Sequence, residues 1–320
     1  RFDLGRIEGN RNFCNKLWNA ARFVLMQTEG QPVAATAEPG ILDRWILSRL
    51  NRTVAEVENQ FAAYRLDLAA QALYEFAWNE YCDWYLEFAK ALMQSGDAAA
   101  QAATRHTLLT VLESLLRALH PIMPFITEEI WQRVAPLLEL DGDSIMLRPF
   151  PLAGEIDEEA ELDVDWVKAV IQGVRRVRSE LNLAPAQMLD VWFQGGAASD
   201  RQREQRFAEA LGQLARIQST RWVDDDAATG QCAVALVGDL KILIPLKGLV
   251  DVEEELARLH KQLEREEADL GKSESKLGNK RFVDNAPPAV VEQERQRLAA
   301  HRANVENFQG QIRRMESLRD

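Results

Sequence analysis

A stretch near the start of the chain gathers residues of the types that bind anions. At helical spacing, residues 10–27 divide into an apolar side and a side of cations and amides. No carboxylate occurs in this stretch, although the whole chain has a formal net charge of -12 at pH 7. We therefore expect an anion-binding face made of Arg11, Asn15, Lys16, Asn19 and Arg22, with Trp18 and Phe23 at its border.

A second group of cations lies near the end of the chain. Between Lys272 and Val283, Glu274 is the only carboxylate. The same stretch contains one aromatic residue, Phe282, and four cations, Lys272, Lys276, Lys280 and Arg281. Arg297 follows a little later. Charges in the rest of this segment alternate in sign, which is typical of a solvated helical surface.

No set of residues typical of a catalytic centre accompanies these cations. Asp83 and Glu87 have the spacing of an acid–base pair, but we expect them to be solvated or paired with an Arg of a neighbouring helix. The sequence has three Cys residues, Cys14, Cys82 and Cys232, which are far apart and show no Cys-x-x-Cys spacing. This pattern predicts free thiols in a reducing, cytoplasmic compartment. We therefore expect neither catalytic residues nor a metal site.

The elements that carry these residues change in type along the chain. Up to about residue 150 the apolar spacing is helical throughout, which predicts an antiparallel bundle of five helices. One of them is expected to run without interruption from Asp67 to Met93. The middle part begins with an acidic stretch, Glu155 to Asp165, interpreted as a solvated linker and helix start.

Beyond the acidic stretch the pattern predicts a small α/β domain. A helix at 166–183 carries Arg175, Arg176 and Arg178, for which a solvated face is favoured over phosphate binding. Strands are expected at 188–193 and 219–223, with a helix at 201–217 between them. The last two strands, 231–237 and 240–246, form a predicted hairpin across Gly238-Asp239.

The last part of the chain has a seven-residue apolar repeat. The first run of this repeat contains Leu256, Leu263, Leu270 and Leu277. The second run contains Val291, Leu298, Val305 and Ile312. Only a short break with Gly278 and a Pro pair separates the runs. The pattern predicts two helices that fold back into an antiparallel coiled-coil hairpin. The fold class is therefore mostly α, with domains at 1–150, 151–248 and 249–320.

Composition limits the possible partners. The chain has 320 residues, 47% of them hydrophobic, which is typical of a globular protein with more than one domain. Because the chain is acidic overall, any nucleic acid must bind through local cationic faces. No apolar run is long enough to span a bilayer, so no membrane partner is expected. The start at Arg1, without Met, suggests a piece of a longer polypeptide.

Four segments of the helical part resemble the anticodon-binding domain of class I aminoacyl-tRNA synthetases. They are specific to the valyl, isoleucyl and leucyl branch and comprise Arg11–Phe23, Asp43–Leu50, Trp78–Glu87 and His120–Trp131. The stretch from Leu277 to Val291 is similar to the tip of the C-terminal arm in the bacterial valyl-tRNA synthetase family. A Cys-rich zinc module, expected in isoleucyl relatives, is absent from the sequence.

The resemblance implies a tRNA-binding C-terminal portion of a valine–tRNA ligase. No His-x-Gly-His or Lys-Met-Ser-Lys-Ser stretch occurs, so the ATP and valine site and the editing domain of the whole enzyme are missing. The helical part is expected to bind the valine anticodon. The arm is expected to bind the outer corner of the tRNA through Lys272, Lys276, Lys280, Arg281, Phe282 and Arg297. No cofactor is expected for this portion, and ATP belongs to the whole enzyme.

Two alternatives from other classes stay open at this point. The heptads would also suit a protein-interaction or scaffolding module, in which the coiled coil forms between two chains. A monomer would favour the hairpin, and a dimer would favour the scaffold. The other alternative is an enzyme fragment with its own chemistry in the α/β domain. DNA is not expected as a partner.

Overall fold

The structure is a computed structural model that describes residues 4–33, 38–95, 97–224, 232–246, 249, 252–279 and 287–316. The α-helices are α1 (Leu4–Thr28), α2 (Ile41–Ala62), α3 (Leu66–Glu75), α4 (Leu86–Ser95), α5 (Ala98–Leu119), α6 (Pro124–Val134), α7 (Glu158–Glu180), α8 (Ala198–Arg206), α9 (Ala208–Ala215), α10 (Val252–Gly278) and α11 (Pro288–Glu316). A π-helical segment, Phe76–Tyr85, joins α3 to α4, and short 3₁₀ turns cover Ala135–Leu138 and Ile145–Leu147. The strands are β1 (Leu189–Gly195), β2 (Ile217–Val223), β3 (Cys232–Val237) and β4 (Leu240–Pro245).

The helical bundle forms as predicted, because each helix has an apolar side that the others cover. The inward side of α1 is buried through Phe13, Leu17, Ala20, Ala21 and Val24. Helix starts follow local rules: Asp97 caps α5 by accepting a hydrogen bond from the amide of Ala100 at 2.8 Å. Pro124 opens α6, where its missing N–H has no cost.

The long aromatic helix differs from the prediction of an uninterrupted α-helix. Helical structure is continuous from Leu66 to Ser95, but its centre, Phe76–Tyr85, is π-helical. A π turn accommodates one extra residue and shifts the side chains that follow it. Two buried tyrosines lie within this segment. The hydroxyl of Tyr81 donates to the carbonyl of Leu108 at 2.9 Å, and that of Tyr85 to Asp43 at 2.6 Å.

Asp43 is a buried carboxylate that connects three helices. It is 1% exposed and accepts hydrogen bonds from Tyr85, from the hydroxyl of Thr104 at 3.1 Å, and from the amide of Gly40 at 3.1 Å. Burial raises the pKa of Asp43, although these three hydrogen bonds act in the opposite direction. The carboxylate therefore holds the start of α2 against the end of the π-helical segment and against α5.

The small sheet has helices on one side. Its strand order is β2-β1-β4-β3, with β1 parallel to β2 and antiparallel to β4. The predicted hairpin across Gly238-Asp239 is confirmed, since β3 and β4 pair as antiparallel neighbours. The single helix predicted at 201–217 is wrong. Two helices meet at Phe207, and Arg216 takes a left-handed conformation with φ +57°, so that Ile217 begins β2.

The acidic stretch contains the predicted helix start, but not all of it is solvated as its composition predicts. Helix α7 begins at Glu158, and Asp163 within it is buried beside Arg203, at 2.8 Å, and Arg206. Glu161 accepts from Ser48 at 2.5 Å and from Arg52 at 2.8 Å. Burial acts to raise the pKa of Glu161, but these bonds lower it overall. Polar contacts thus join α7 to α2.

The apolar interior is continuous between the bundle and the sheet. A single cluster of buried side chains includes Trp45 of α2, Val170 of α7 and Phe193 of β1. The predicted division into domains at 1–150, 151–248 and 249–320 stays a prediction.

The coiled-coil hairpin is confirmed. Helices α10 and α11 run antiparallel, because Ser273 contacts Glu294 near one end while His301 contacts Glu266 farther along. Leu256, Leu259 and Ile312 close the other end of the seam. This hairpin, which we call the arm, meets the remainder of the chain at Leu181. That side chain packs against both the main cluster and the cluster of the arm. The side-chain amide of Gln187 also donates to the carbonyl of Leu249 at 3.4 Å.

We predict that Tyr85→Phe destabilises the bundle. The change removes one of three donors from a buried carboxylate, which costs about 1.5–3 kcal/mol for a hydrogen bond to a charged group. Denaturant unfolding measures this loss in the free energy of unfolding. Tyr64→Phe is the matched control, because Tyr64 is 90% exposed and its loss of a hydroxyl should change nothing. Equal stability of both variants would contradict the role given to the Asp43 contact.

We predict that Leu181→Ala loosens the arm without unfolding the chain. The side chain is half-buried, so its truncation should cost less than the roughly 2–5 kcal/mol of a fully buried Leu. Small-angle X-ray scattering should show a broader distribution of long distances in the variant. Leu162→Ala, at an exposed position of α7, serves as the control. Identical scattering of the two variants would mean that other contacts set the direction of the arm.

Candidate nucleic-acid interface

The predicted face of α1 is present at the surface. Arg11, Asn15, Asn19 and Arg22 are exposed and Lys16 is partly exposed. The ring of Phe23 is half-buried and packs against the main apolar cluster. The periodicity of α1 therefore predicted the outward direction of the polar side chains, and it placed Phe23 at the border, where the structure has it.

Neighbouring elements bring carboxylates to this face. Lys16 Nζ lies 2.5 Å from Asp83 of the π-helical segment, and Arg11 lies 3.4 Å from Glu8. Asp83 and Glu87 are both partly exposed to solvent, as one of the two predicted alternatives has it, but their ion-pair partners are Lys16 and, at 2.6 Å, Lys90 instead of an Arg. A phosphate that approaches Lys16 must therefore share it with Asp83.

Aromatic rings from other helices lie beside the cations of this face. Lys16 Nζ is 4.9 Å from the centre of the Trp78 ring, which stacks on Tyr74 at 5.5 Å. Lys90 Nζ is 5.4 Å from the centre of the Phe23 ring. Such contacts hold the ammonium groups over the ring faces. The tertiary fold thus gives the face a mixed cationic and aromatic character.

Arg133 of α6 joins this surface, although the sequence reasoning did not include it. Its guanidinium lies 6.0 Å from the centre of the Trp18 ring and is also bound to Glu129 at 2.8 Å. A small groove between α1 and α6 is lined by Trp18, Ala21, Arg22, Leu25, Ile130 and Arg133. Trp18 is 37% exposed, so part of its ring is open to a stacking partner. Only the tertiary structure could reveal Arg133 of α6 and Lys90 of α4 as members, because each lies over a ring of α1.

Three predicted cations of the arm are held by carboxylates of the arm itself. Lys272 pairs with Asp269 at 2.6 Å, and Lys276 and Arg297 each lie 3.5 Å from Glu294. Glu294 also accepts from the hydroxyl of Ser273 at 3.0 Å, and this bond together with the two cations lowers the pKa of Glu294. The remaining candidates, Lys280, Arg281 and Phe282, lie outside the described residues.

The Arg cluster of α7 has structural contacts. Arg178 is buried and donates to the carbonyls of Ala184 and Gln187, both at 2.7 Å. Burial lowers the pKa of Arg178. Arg175 donates to the carbonyl of Leu214 at 3.0 Å. The favoured prediction of a solvated face is therefore wrong for Arg178, which holds the turn after α7, whereas Arg176 is exposed.

The described residues show no cluster suited to metal binding. No group of three His, Cys, Asp or Glu side chains comes together among them in a way that would hold a metal ion. The Cys residues are free, and burial raises the pKa of Cys82 to about 12, which keeps its thiol protonated. None of the described helices combines the length and apolar character needed to cross a membrane.

Comparison with known proteins gives two family matches. A model of the anticodon-binding domain of tRNA ligases matches residues 43–192, which run from α2 into β1. A model of the valyl-tRNA synthetase tRNA binding arm matches residues 251–316, which cover α10 and α11. The two models therefore match the elements that carry the arm cations and the helices against which α1 packs.

Several curated relatives share about half of their residues with this chain. A valine–tRNA ligase of Stenotrophomonas maltophilia (strain K279a) is 52% identical over 303 residues, which cover 93% of this chain and 32% of the relative. The corresponding proteins of Xanthomonas campestris pv. campestris (strain B100) and Xylella fastidiosa (strain M12) are 50% and 49% identical, with the same coverage. The chain thus spans about a third of the length of these relatives, and it belongs to the valyl-tRNA synthetase family, in which it corresponds to a C-terminal portion.

Proposed function

We propose that the chain is the tRNA-binding portion of a valine–tRNA ligase, in which it positions valine tRNA for the ATP-dependent attachment of valine. The catalysis belongs to a part of the enzyme that this chain does not span. The observation that carries the proposal is the pair of cationic surfaces, one on α1 and one on the arm, in a chain of net charge -12. The chain acts as a monomer in the cytoplasm.

The face of α1 suits unpaired anticodon bases. Such bases can stack on aromatic rings and guanidinium planes and can be recognised at their edges by amides. Trp18 and Phe23 supply the rings, Arg22 supplies a guanidinium, and Asn15 and Asn19 supply exposed amides. Arg11 and Lys16 lie where they can contact the phosphates that flank these bases.

The arm suits a second region of the same RNA. Helix α10 has 27 residues, which gives about 40 Å at 1.5 Å per residue. Its cations, with Arg297 of α11, would contact phosphates at the outer corner of the tRNA. Two contacts on a single rigid ligand raise its affinity through effective concentration. They also fix the orientation of the distant acceptor end, which contributes to the reaction rate by positioning.

The scaffolding alternative is not favoured. Helix α10 packs against α11 of the same chain, and the apolar seam is therefore occupied internally by residues such as Leu259 and Ile312. An intermolecular coiled coil would first have to open this hairpin.

We predict that the chain binds whole valine tRNA with a marked dependence on salt. Each phosphate contact should contribute about 0.7–0.9 to the slope of log K against log salt concentration. A variant that lacks residues 251–320 should bind the whole tRNA more weakly and with a smaller slope, because the arm cations are gone. It should bind an isolated anticodon stem-loop as well as the full chain does. No binding of the full chain at low salt would contradict the proposed function, and isoleucine tRNA serves as the specificity control.

We also predict that Arg22→Ala and Phe23→Leu weaken the binding of the anticodon stem-loop. Loss of a stacked base costs roughly 1–3 kcal/mol, and Phe23→Leu keeps an apolar side chain against the core. Fluorescence anisotropy with a labelled stem-loop measures the change. Arg65→Ala is the matched control, because Arg65 is exposed at the opposite end of the bundle and pairs with Asp67. If the three variants bind equally well, the anticodon does not contact this part of α1.

A further inference from the structure

Four arginines lie around the end of α7 and the start of β2. We call this surface the arginine patch and define it by Arg175, Arg176, Arg178 and Arg216. Within the described part of the chain, no Asp or Glu forms an ion pair with any of them, and this includes Glu180 in the last turn of α7. The chain has 50 Asp and Glu for 38 Lys and Arg, and many of its other arginines do have a carboxylate partner. The lack of such partners is therefore a local property of this surface.

The end of α9 brings Arg175 and Arg216 together. Nε and Nη2 of Arg175 donate to the carbonyl of Leu214 at 3.2 and 3.0 Å, and Arg216 follows Leu214 by two residues. Because two N–H groups share one acceptor, the guanidinium of Arg175 is fixed in its direction. Arg176 is the next residue of α7 and is exposed, as Arg175 and Arg216 are. Three exposed arginines thus lie in one small area.

Arg178 joins the patch from its buried side. It donates to the carbonyl of Gln187 at 2.7 Å, and the amide of Leu189, two residues later, donates to the carbonyl of Arg216 at 2.9 Å. Burial lowers the pKa of Arg178, and the charge of Arg216 lowers it further. The two guanidinium groups are therefore close enough to repel each other, and a bound anion would relieve this repulsion.

The positive charge of the patch is available to a ligand. The C-terminal ends of α7 and α9 attract cations, which explains why arginines can gather there without carboxylates. Backbone carbonyls carry only partial charges, however, so the patch stays cationic. The face of α1 differs, because Asp83 already binds Lys16 there. A phosphate that reaches the patch displaces no carboxylate of the described residues.

Arg216 has a backbone conformation that is unfavourable for its residue type. It ends α9 with φ +57° and ψ +47°, in the left-handed region where helices most often place Gly. Any residue with a Cβ has a higher free energy than Gly in this conformation. An Arg at this site therefore lowers local stability, and a strained residue of this kind indicates a functional use of its side chain.

The patch lies between the two surfaces proposed to bind RNA. The guanidinium of Arg175 is 5.6 Å from the centre of the Trp84 ring, and the adjacent residue, Asp83, binds Lys16 of the α1 face. In the other direction Leu181, against which the arm packs, follows Arg175 by six residues, or about 9 Å along the helix. An RNA that contacts both α1 and the arm would therefore pass the patch.

We propose that the arginine patch binds backbone phosphates of the tRNA between its anticodon and its outer corner. Arg175, Arg176 and Arg216 contact the phosphates, whereas Arg178 is committed to the turn after α7. The planar fork of a guanidinium matches the geometry of a phosphate. Phosphate contacts fix the orientation of a nucleic acid but carry no sequence information, so the patch orients the tRNA and does not select it. This inference rests on the proposed function, to which it adds a third contact.

The test is a hydroxyl-radical footprint of end-labelled valine tRNA on the 320-residue chain, with saturating protein. The unchanged chain should protect the anticodon loop, the outer corner and the backbone between them. The double variant Arg176→Ala, Arg216→Gly should lose only the protection between the two ends. The slope of log K against log salt concentration should also fall by roughly 1.4–1.8, since each lost phosphate contact removes about 0.7–0.9.

A second double variant, Arg201→Ala, Arg221→Ala, is the matched control. It removes the same charge from two exposed arginines that lie toward the other end of β2 from Arg216. Each guanidinium lies over an indole ring, that of Trp222 at 4.4 Å and that of Trp192 at 4.2 Å. The control should keep the whole footprint. An equal loss of protection in both double variants would mean a general effect of net charge and would overturn the inference.

The remaining outcomes separate this inference from the proposed function. Identical footprints of the unchanged chain and of Arg176→Ala, Arg216→Gly would overturn the inference and leave the proposed function standing. No protection by the unchanged chain would contradict the proposed function itself. Denaturant unfolding should show no loss of stability in the variant, because Gly suits the left-handed conformation and Arg176 is exposed. If stability does fall, Arg176→Ala alone decides by the same footprint.

Discussion

The continuous apolar interior between the bundle and the sheet is the constraint on which both candidate surfaces depend. Gly173 of α7 shows how close the packing is, because a Cβ at this position would lie 3.2 Å from the Cβ of Ala235 and 3.4 Å from Ile242. The polar contacts of Glu161 with α2 fix the orientation of the same helix. Helix α7 thus holds the sheet to the bundle, and the turn that follows it carries Leu181, against which the arm packs. The binding of a ligand that contacts both α1 and the arm would therefore depend on the rigidity of this connection.

The electrostatics of the chain combine overall repulsion with local attraction. A net charge of -12 opposes the approach of any polyanion, so binding must rely on a few cations. Several of those cations form an ion pair with a carboxylate of the chain, as Lys16 does with Asp83 and Lys276 with Glu294. The carboxylate orients the cation and weakens its attraction for a phosphate in the wrong place. Such an arrangement favours selectivity for one RNA shape over tight binding to RNA in general.

The sequence allowed the prediction of those features that repeat or that depend on neighbouring residues. The heptads of α10 and α11, the apolar side of α1 and the Gly238-Asp239 hairpin have periods or turn signals that can be read locally. Contacts between distant residues could not be predicted. Arg178 carries a charge that suggests solvent exposure, but it is buried because the carbonyls of the next turn accept its hydrogen bonds. Asp163 is buried for the corresponding reason, since Arg203 and Arg206 come from another helix.

The candidate site was predictable to a similar extent. The residues of α1 were found because they share one helix face, whereas Lys90 and Arg133 belong to other helices and join that face only through packing. The same limit applies to Glu294, which holds Lys276 of the opposite helix as well as Arg297 of its own helix.

The π-helical segment sets the angular phase of the aromatic helix. Loss of a single residue between Phe76 and Tyr85 would still permit an unbroken α-helix, so the local backbone would tolerate it. Loss of Leu86, just beyond this segment, would instead turn every later side chain by about 100° relative to the earlier ones. Lys90 would leave the Phe23 ring and Phe88 would leave Trp45, which it now meets edge-on at 6.2 Å. A change of length by one residue should thus disturb the packing less within the π-helical segment than beyond it.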